Sequence, residues 1–267
     1  MRSAQCPCCG CRAYDRDIDT IELVSRLRAA GCVFAEDEAA LLIADGRELG
    51  QLVARRVAGE PLEQILGWAE FRGLRIAVEP GVFVPRFRTG YLVERALDFA
   101  RPGAMVLDLC CGAGAIGAAL AAIEPGIELY AADLDPAAVT CARRNLPADR
   151  VFEGDLFDAL PASMRGRVDL VVVNAPYVPT EAIATMPPEA RIHEHRLALD
   201  GGADGLDLHR RIAALAGEWM SPASHLLIET SEAQAPLSAE IFAAAGFTTE
   251  VAHSEEYDGT VVIATRV

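Results

Sequence analysis

Residues 108–114 have the sequence DLCCGAG and join a buried apolar run, MVLDLCC, to the alanine-rich segment AIGAALAAI. Glycines let the backbone turn tightly and approach a ligand closely, and a helix that begins here offers free N–H groups at its N-terminus. The pattern therefore predicts a ligand-binding turn between a strand and a helix. Gly112, Gly114 and Gly117 also satisfy the dinucleotide fingerprint, so a nicotinamide oxidoreductase stays open as an alternative.

From Thr89 to the C-terminus, segments of strand pattern alternate with segments of helix pattern. We predict helices in YLVERALDFA, AIGAALAAI, AAVTCARRNL, DLHRRIAALAGEWM and APLSAEIFAAAGF, and strands in MVLDLCC, ELYAADLD, RVFEGDLF, VDLVVVNAPY, HLLIET, TTEVAHSEEY and TVVIATRV. This alternation predicts an α/β fold with a doubly wound, mostly parallel, seven-stranded Rossmann-like sheet. The dipeptide Asp258-Gly259 predicts that the last two strands form an antiparallel edge hairpin.

The rest of the chain divides into three further segments. Residues 15–58 carry apolar and charged positions at helical spacing, with Gly31 and Gly46 as helix ends, and are predicted to form a small helical domain. Residues 59–84 show short alternating runs broken by glycine and proline, which predicts a β-hairpin linker. The α/β domain then occupies residues 85–267.

Residues 1–14 form a Cys-rich leader that contains Cys6, Cys8, Cys9 and Cys11. Thiolates at such spacing can hold zinc, with Cys32 or a partner chain completing the shell. Four ligands in so short a stretch are geometrically cramped, so we expect a disordered leader and no metal site.

The composition limits the class of protein. With 267 residues, 52% of them hydrophobic and 24% charged, the chain can bury one full α/β core and a small additional unit. A formal net charge of −15 argues against broad capture of nucleic acid, which needs a basic surface. We see no secretory leader or membrane span and expect a cytoplasmic monomer with reduced thiols that acts on a protein or a small molecule.

The carboxyl groups along the βα pattern tilt the choice of cofactor toward S-adenosylmethionine, chiefly through Asp108, since Asp133 alone fits either cofactor. Asp108 lies where it could hold the ammonium group of the methionine part, whereas it would repel a pyrophosphate. Asp133 ends the second strand and is placed to accept hydrogen bonds from both ribose hydroxyls. Asp155 could accept from the adenine amino group, with Leu156 and Phe157 as an apolar wall, although Asp155 could instead cap a turn or a helix.

The fourth strand runs directly into Asn174-Ala175-Pro176-Tyr177, at the edge where open α/β sheets bind ligands. A side-chain amide nitrogen is a poor nucleophile, because its lone pair is delocalised into the carbonyl. The Asn174 side-chain oxygen and the Ala175 carbonyl could accept its two N–H protons and aim the nitrogen at a methyl donor. Pro176 restricts the residue before it, and Tyr177 supplies a flat wall. The alternative is a plain turn in which Asn174 bonds its own backbone.

Together these segments resemble the HemK-type protein-(glutamine-N5) methyltransferases, which modify the glutamine of the Gly-Gly-Gln motif in peptide chain release factors. The likeness covers nearly all of residues 59–267, through PLEQILGWAEFRG, VFVPRFRTGYLVE, VLDLCCGAGAIGAALA, ADLDPAAVTCARRN, GDLFDALP, VDLVVVNAPYVP and LALDGGADGLDLHRRI. The resemblance implies that Asn174 to Tyr177 hold the glutamine. It also implies that the methyl donor contacts Cys110, Cys111, Gly112, Ala113, Gly114, Asp133, Leu156 and Asn174.

The chain departs from the family pattern at three places. The family has Asn-Pro-Pro-Tyr, and Ala175 replaces the first proline, which keeps the carbonyl, frees Asn174 from restriction and adds an N–H group. The N-terminal helical region, which the resemblance implies docks the release factor, is shorter than the family's. The Cys-rich leader is the third departure. Another protein, a small amide or an exocyclic adenine amine therefore remains open as acceptor, as does a catalytically impaired cofactor-binding paralogue.

Overall fold

The computed structural model describes residues 20–267, which form two compact units divided after Gly59. The leader predicted for residues 1–14, with Cys6, Cys8, Cys9 and Cys11, lies outside the described residues, as do residues 15–19. Within the described part of the chain, no helix is long and apolar enough to cross a membrane.

The first unit contains three short helices: α1 (Thr20–Ala29), α2 (Ala35–Asp45) and α3 (Leu49–Val57). Helices of this length are marginal alone, so their stability comes from packing of their apolar faces. Leu23, Leu27 and Leu42 are fully buried in this unit. A buried ion pair joins α2 to α3, since Arg56 Nε lies 2.6 Å from Glu38 Oε2.

The second unit begins with a short helix and a hairpin: α4 (Leu62–Leu66), β1 (Trp68–Phe71) and β2 (Leu74–Ala77). Arg72 and Gly73 connect the antiparallel strands with φ angles of 50° and 80°. Two successive positive φ angles are typical of the type I′ turn that matches the twist of a hairpin. Helix α4 is absent from our predictions, because five residues are too few to show a helical period.

The main sheet has seven strands in the order β5-β4-β3-β6-β7-β9-β8. Their bounds are β3 (Met105–Leu109), β4 (Glu128–Asp133), β5 (Val151–Glu153), β6 (Val168–Val173), β7 (Met220–Thr230), β8 (Phe247–Ser254) and β9 (Gly259–Arg266). Strands β3 to β7 pair in parallel, and β9 pairs antiparallel with both β7 and β8. The predicted fold class, including the antiparallel edge hairpin, is confirmed.

Helices cover both faces of this sheet, and their bounds are α5 (Gly90–Leu97), α6 (Ala115–Ile123), α7 (Pro136–Ala142), α8 (Pro188–His193), α9 (Asp207–Trp219) and α10 (Ala235–Ala244). Short 3₁₀ helices span Phe87–Thr89, Ala148–Arg150, Leu156–Ala159, Ala162–Met164, Thr180–Thr185 and Arg196–Ala198. Strand β7 is longer than the predicted HLLIET and begins directly after α9. Like α4, helix α8 and the short 3₁₀ helices are absent from our predictions.

Two apolar layers hold these elements together. One contains Leu92, Val106 and Leu120, and the other contains Phe157 and Phe242. All five side chains are fully buried. Strands β3, β4 and β6 run in parallel, so their carboxyl ends lie at one edge of the sheet. The last residues of these strands are Leu109, Asp133 and Val173.

Candidate active site

A cavity of about 720 Å³ opens at this edge of the sheet. The predicted site residues that line it are Cys110, Cys111, Gly112, Ala113, Asp133, Asp155, Leu156, Asn174, Ala175, Pro176 and Tyr177. Two predicted site residues, Asp108 and Gly114, do not line it. The structure therefore brings most of the predicted cofactor and acceptor residues to one place.

The loop after β3 is shaped by three residues in the left-handed region, Cys110 at φ 58°, Gly112 at 54° and Gly114 at 77°. Gly114 precedes α6 and packs closely on the end of α7 and the residues after it, because a Cβ there would lie 2.8 Å from Leu146 Cδ1 and 3.4 Å from Ala142 Cβ. Gly114 therefore lets the loop and the helix pack closely, and its predicted contact with the cofactor stays a prediction. Asn145 holds the same loop by donating from Nδ2 to the Ala113 carbonyl at 2.8 Å.

Asp108 is fully buried behind the wall of the cavity. Its Oδ2 accepts a 2.8 Å hydrogen bond from the backbone N–H of Gly117 in the first turn of α6, and its Oδ1 has no partner among the described residues. The pKa of this carboxyl group is raised to about 8, chiefly by burial; the Gly117 hydrogen bond acts against the rise and the nearby Asp133 adds to it. The carboxyl group is directed toward the first turn of α6 and not toward the cavity, so the predicted contact with an ammonium group stays a prediction.

Asp133 ends β4 with its carboxyl group at the cavity. Its Oδ2 accepts from the Gly112 N–H at 2.8 Å and its Oδ1 from the Asp135 N–H at 2.9 Å. These two bonds fix the plane of the carboxyl group and link it to the loop after β3. Burial raises the pKa of Asp133, and the two backbone hydrogen bonds act against that rise. Each carboxylate oxygen keeps a further lone pair with which it can accept from a hydroxyl group.

The segment after β5 supplies one wall of the cavity. Leu156 is buried and adopts a φ of 50°, which turns the chain at the cavity. The neighbouring Asp155 forms an ion pair with Arg211 of α9, with 2.7 Å between Oδ2 and Nη2. Arg211 also lines the cavity and is absent from our predictions. The pair leaves one oxygen of Asp155 for a ligand.

The two cysteines of the loop are not suited to redox or nucleophilic chemistry. Burial raises the pKa of both the Cys110 and the Cys111 thiols well above the ordinary value of 9.0, and the nearby carboxyl groups of Asp108 and Asp133 add to the rise. Because the thiolate is the reactive form, these thiols act as small protonated side chains at the cavity wall.

The tetrapeptide after β6 forms the opposite side of the cavity. Asn174 donates from Nδ2 to the Thr89 hydroxyl at 3.2 Å, and no described residue donates to its Oδ1. Ala175 is buried, and its carbonyl likewise receives no hydrogen bond from the described part of the chain. Two acceptor atoms on adjacent residues are thus left for a donor in the cavity.

Residues 199–205 pack against the backbone of this tetrapeptide. The Gly201 N–H donates to the Val178 carbonyl at 2.9 Å, and a Cβ at Gly201 would lie 2.8 Å from the Pro176 carbonyl oxygen. A Cβ at Gly205 would collide with the Tyr177 carbonyl oxygen. Gln234 completes the contact by donating from Nε2 to that same oxygen at 2.9 Å. Glycines are required here because the two backbones lie against each other.

Behind the tetrapeptide lies a carboxyl group that the sequence analysis missed. Glu229, on β7, is 2% exposed and accepts a hydrogen bond from the Tyr177 hydroxyl at 3.3 Å. Arg88 Nε lies 3.4 Å from the same oxygen, Oε1, and the Arg88 guanidinium lies 6.0 Å from the centre of the Tyr177 ring. The acidic residue within the otherwise apolar predicted strand HLLIET was the signal that could have found it.

At the rim, His195 Nδ1 lies 2.5 Å from Asp135 Oδ2. Within residues 20–267, no three His, Cys, Asp or Glu side chains cluster closely enough to hold a metal ion.

The sequence and the fold both match known proteins. Residues 74–203 match the family model described as "Methyltransferase small domain". The chain is 42% identical to the release factor glutamine methyltransferase of Geobacter sulfurreducens over 202 residues, which is 73% of this chain and 69% of that protein. It is also 42% identical to the protein of the same description from Streptomyces coelicolor over 192 residues, 69% of this chain and 67% of that protein.

Two solved structures share the fold. A methyltransferase from Pyrococcus furiosus superposes with a TM-score of 0.56 at 16% identity, covering 80% of this chain and 96% of that one. A 16S rRNA methyltransferase of Thermus thermophilus, solved with AdoMet and guanosine, gives a TM-score of 0.52 at 20% identity, covering 75% and 50% of the two chains.

Proposed function

We propose that this chain, which belongs to the family of release factor glutamine methyltransferases, transfers a methyl group from S-adenosylmethionine to the side-chain amide nitrogen (N5) of a protein glutamine, in the Gly-Gly-Gln motif of a peptide chain release factor. The observation that carries the proposal is the pair of acceptors at the cavity, Asn174 Oδ1 and the Ala175 carbonyl. An amide NH₂ group is the complement of such a pair, since it offers two donors in one plane.

The residues of the cavity fit the cofactor. Asp133 presents a carboxylate suited to two ribose hydroxyls, and Leu156 presents an apolar surface suited to a planar base. The loop of Cys110 to Ala113 and Asn174 would hold the methionine part. When bound, S-adenosylmethionine supplies a methyl group that is activated by its bond to a positively charged sulfur.

The acceptor side works by position and by charge. Asn174 Oδ1 and the Ala175 carbonyl would take the two protons of the glutamine amide and hold its nitrogen in one orientation. Both oxygens carry partial negative charge, so they stabilise the positive charge that develops on the nitrogen during the reaction. Tyr177 lies beside them as a flat wall. Most of the rate gain then comes from positioning, without a strong general base.

The helical unit is proposed to dock the protein substrate. Val33 and Phe34, in the loop between α1 and α2, are 80% and 69% exposed, and apolar side chains of this kind are typical of protein contact surfaces. We propose further that the enzyme is a cytoplasmic monomer. The net charge of −15 supports a protein as the substrate and not a nucleic acid, since capture of nucleic acid needs a basic surface.

The test is methyl transfer from radiolabelled S-adenosylmethionine to a purified release factor. We expect label in the wild-type release factor, recovered as N5-methylglutamine, and no label when the Gln of its Gly-Gly-Gln motif is replaced by Ala. Asn174→Ala is expected to lower the rate by about 100-fold or more. Equal labelling of the Gln→Ala acceptor, label in RNA or DNA, or cofactor binding without transfer to any protein would overturn the proposal.

A further inference from the structure

One of the arginines that line the cavity is held more loosely by its carboxylate partner than the others. These arginines are Arg86, Arg88, Arg196 and Arg211. Three of them have a guanidinium nitrogen 2.6–2.9 Å from a carboxylate oxygen. Arg88 instead pairs through Nε, which lies 3.4 Å from Glu229 Oε1. Because a guanidinium has five N–H donors, Arg88 keeps donors for a ligand in the cavity.

Arg88 lies on the side of the cavity where the methyl acceptor is proposed to bind. Its guanidinium lies 6.0 Å from the centre of the Tyr177 ring. The next residue, Thr89, accepts from Asn174 Nδ2 at 3.2 Å. Arg88 is therefore next to the tetrapeptide at both of its ends, whereas Asp133 and the loop after β3 form the cofactor side. A ligand of Arg88 would thus belong to the acceptor and not to the methyl donor.

The backbone that carries Arg88 is fixed by neighbouring elements. Arg72 Nη1 donates to the Gly90 carbonyl at 2.8 Å. At the start of β9, a Cβ at Gly259 would lie 2.9 Å from the Arg88 carbonyl oxygen, so the two backbones pack closely. An arginine whose backbone is held in place loses less conformational freedom when it binds a ligand.

The pair with Glu229 indicates which ligand chemistry suits Arg88. The carboxylate offsets the charge of the guanidinium and leaves N–H donors available. A guanidinium without this partner would repel the positive sulfur of the cofactor and favour an acidic ligand. The paired guanidinium instead suits a neutral acceptor such as a peptide carbonyl group. The main chain on each side of a glutamine carries such groups, and burying them without a donor is unfavourable.

We propose that Arg88 is a substrate-binding residue that donates hydrogen bonds to main-chain carbonyl groups next to the glutamine. The enzyme then recognises the peptide as well as the side-chain amide. The proposal rests on the function proposed above, which puts the glutamine amide at Asn174 and Ala175. Since a glycine has no Cβ, a guanidinium can approach its carbonyl group closely, and Arg88 thereby favours a glutamine that follows glycine.

The kinetic test compares Arg88→Gln and Arg88→Lys with the wild type in the methylation of the release factor, at a pH where kcat no longer changes with pH. We expect Arg88→Gln to raise the KM for the release factor by about 10-fold with little change in kcat, because it removes a contact made before and during the reaction. Arg88→Lys keeps the charge but not the planar set of donors, so its KM should lie between the two.

Arg165→Gln is the matched control. Arg165 also pairs with a glutamate and lies over an aromatic ring, since its Nη1 is 2.9 Å from Glu218 Oε2 and its guanidinium is 4.8 Å from the centre of the Trp219 ring. It does not line the cavity, and we expect its KM to stay at the wild-type value. A fall in kcat without a rise in KM for Arg88→Gln would show that Arg88 only supports Tyr177 and Glu229, and would overturn the proposal.

A second test changes the acceptor as well as the enzyme. In the release factor, the glycine directly before the glutamine is replaced by alanine, whose Cβ keeps the guanidinium away from the carbonyl group. We expect this replacement to cost the wild-type enzyme about fivefold more in kcat/KM than it costs Arg88→Gln, since the two changes remove the same contact. Equal losses for the two enzymes would overturn the direct contact.

A binding measurement separates this proposal from the proposed function. Calorimetry gives the Kd of the release factor for the enzyme saturated with S-adenosylhomocysteine, and Arg88→Gln should raise it by about 10-fold. An unchanged Kd would overturn the role of Arg88 even if the wild-type enzyme methylates the release factor. The expected rise in Kd, without methylation by the wild type, would overturn only the proposed function. Absence of both binding and methylation would overturn both.

Discussion

The backbone N–H of Gly117 donates a 2.8 Å hydrogen bond to the carboxyl group of Asp108, across the turn that joins β3 to α6. The contact is close, because a Cβ at Gly117 would lie 3.1 Å from Asp108 Oδ2. A carboxyl group from the sheet thus satisfies an N–H group in the first turn of the helix, where the backbone has no partner of its own. The bond fixes the start of α6 beneath the loop of Cys110 to Gly114.

The buried Asp108 carboxyl group should make the stability of the ligand-free protein depend on pH. Burial raises its pKa to about 8, so the folded protein binds a proton that the unfolded chain has already lost. Stability from this group is therefore full below about pH 4, where both states are protonated, and is lost as the pH rises from there to about 8, above which both states are ionised. Asp108→Asn keeps an acceptor for Gly117 and cannot ionise, so its advantage over the wild type should grow between about pH 5 and about pH 8 and stay constant above that.

Thermal unfolding at the two pH values measures this difference. Asp149→Asn, at an exposed position after α7, is the matched control and should follow the wild type at both pH values. Asp108→Ala, which also removes the acceptor, should be destabilised by about 1–3 kcal/mol. Parallel pH curves for Asp108→Asn and the wild type would contradict the raised pKa.

The Asp133 carboxyl group should control affinity for the cofactor. Asp133→Asn removes the charge and replaces one carboxylate oxygen by an NH₂ group. Because an NH₂ group cannot accept, the hydrogen bond from either the Gly112 N–H or the Asp135 N–H is lost. Loss of hydrogen bonds to a charged group costs about 1.5–3 kcal/mol each. We expect the Kd for S-adenosylhomocysteine, measured by calorimetry, to rise by about 100-fold.

Asp158→Asn, at an exposed position in the 3₁₀ helix Leu156–Ala159, is the control for this measurement. An unchanged Kd for Asp133→Asn would show that the cofactor does not use this carboxyl group.

The sequence was sufficient to predict the main sheet, but it predicted only part of the candidate site. Strands such as β3 and β6 are runs of mostly apolar, buried residues, and the carboxyl ends of parallel strands share one edge of the sheet. Residues at those ends, such as Asp133 and Asn174, could therefore be placed together in advance. The short helices α4 and α8 could not, because each has too few residues to show a period.

The polar contacts that the sequence did not predict have a common physical cause. The side-chain direction of Asp108 depends on a hydrogen bond with Gly117, and that of Asp155 depends on an ion pair with Arg211 from a distant helix. A sequence pattern places a residue at the end of a strand but does not tell which neighbour its polar atoms will bind. Glu229 was missed for the same reason, since its partners Arg88 and Tyr177 lie on other elements.

Gly201 should be necessary for turnover and dispensable for cofactor binding. The added Cβ of Gly201→Ala would lie 2.6 Å from the Gly205 carbonyl oxygen and 2.8 Å from that of Pro176, so the backbone of the acceptor side must move. A displacement of about 1 Å can cost about 100-fold in rate. We expect kcat to fall by about this factor, with the Kd for S-adenosylhomocysteine little changed.

Gly217→Ala is the matched control, because nothing lies within 4 Å of a Cβ at that position in α9. Alanine is favoured over glycine inside a helix by about 0.5–1 kcal/mol, so this variant should be more stable and equally active. If Gly201→Ala turns over at the wild-type rate, the glycine contact does not hold the acceptor side.

The carboxyl group of Glu229 should set the acidic limb of the pH profile of methylation. Burial raises its pKa above the ordinary value of 4.5, while the Thr89 and Tyr177 hydroxyls and the Arg88 guanidinium act in the opposite direction. The ionised form pairs with Arg88 and accepts from the Tyr177 hydroxyl, which keeps the ring of Tyr177 in place beside the acceptor atoms, so kcat should be full above the raised pKa and fall as the pH drops through it. Arg88→Gln removes a positive charge and should move this limb to higher pH, whereas Glu229→Gln should have a low kcat without the limb.

The measurement is kcat against pH at saturating substrates, with binding of S-adenosylhomocysteine as the control for folding. The same acidic limb in Glu229→Gln and in the wild type would assign it to another group.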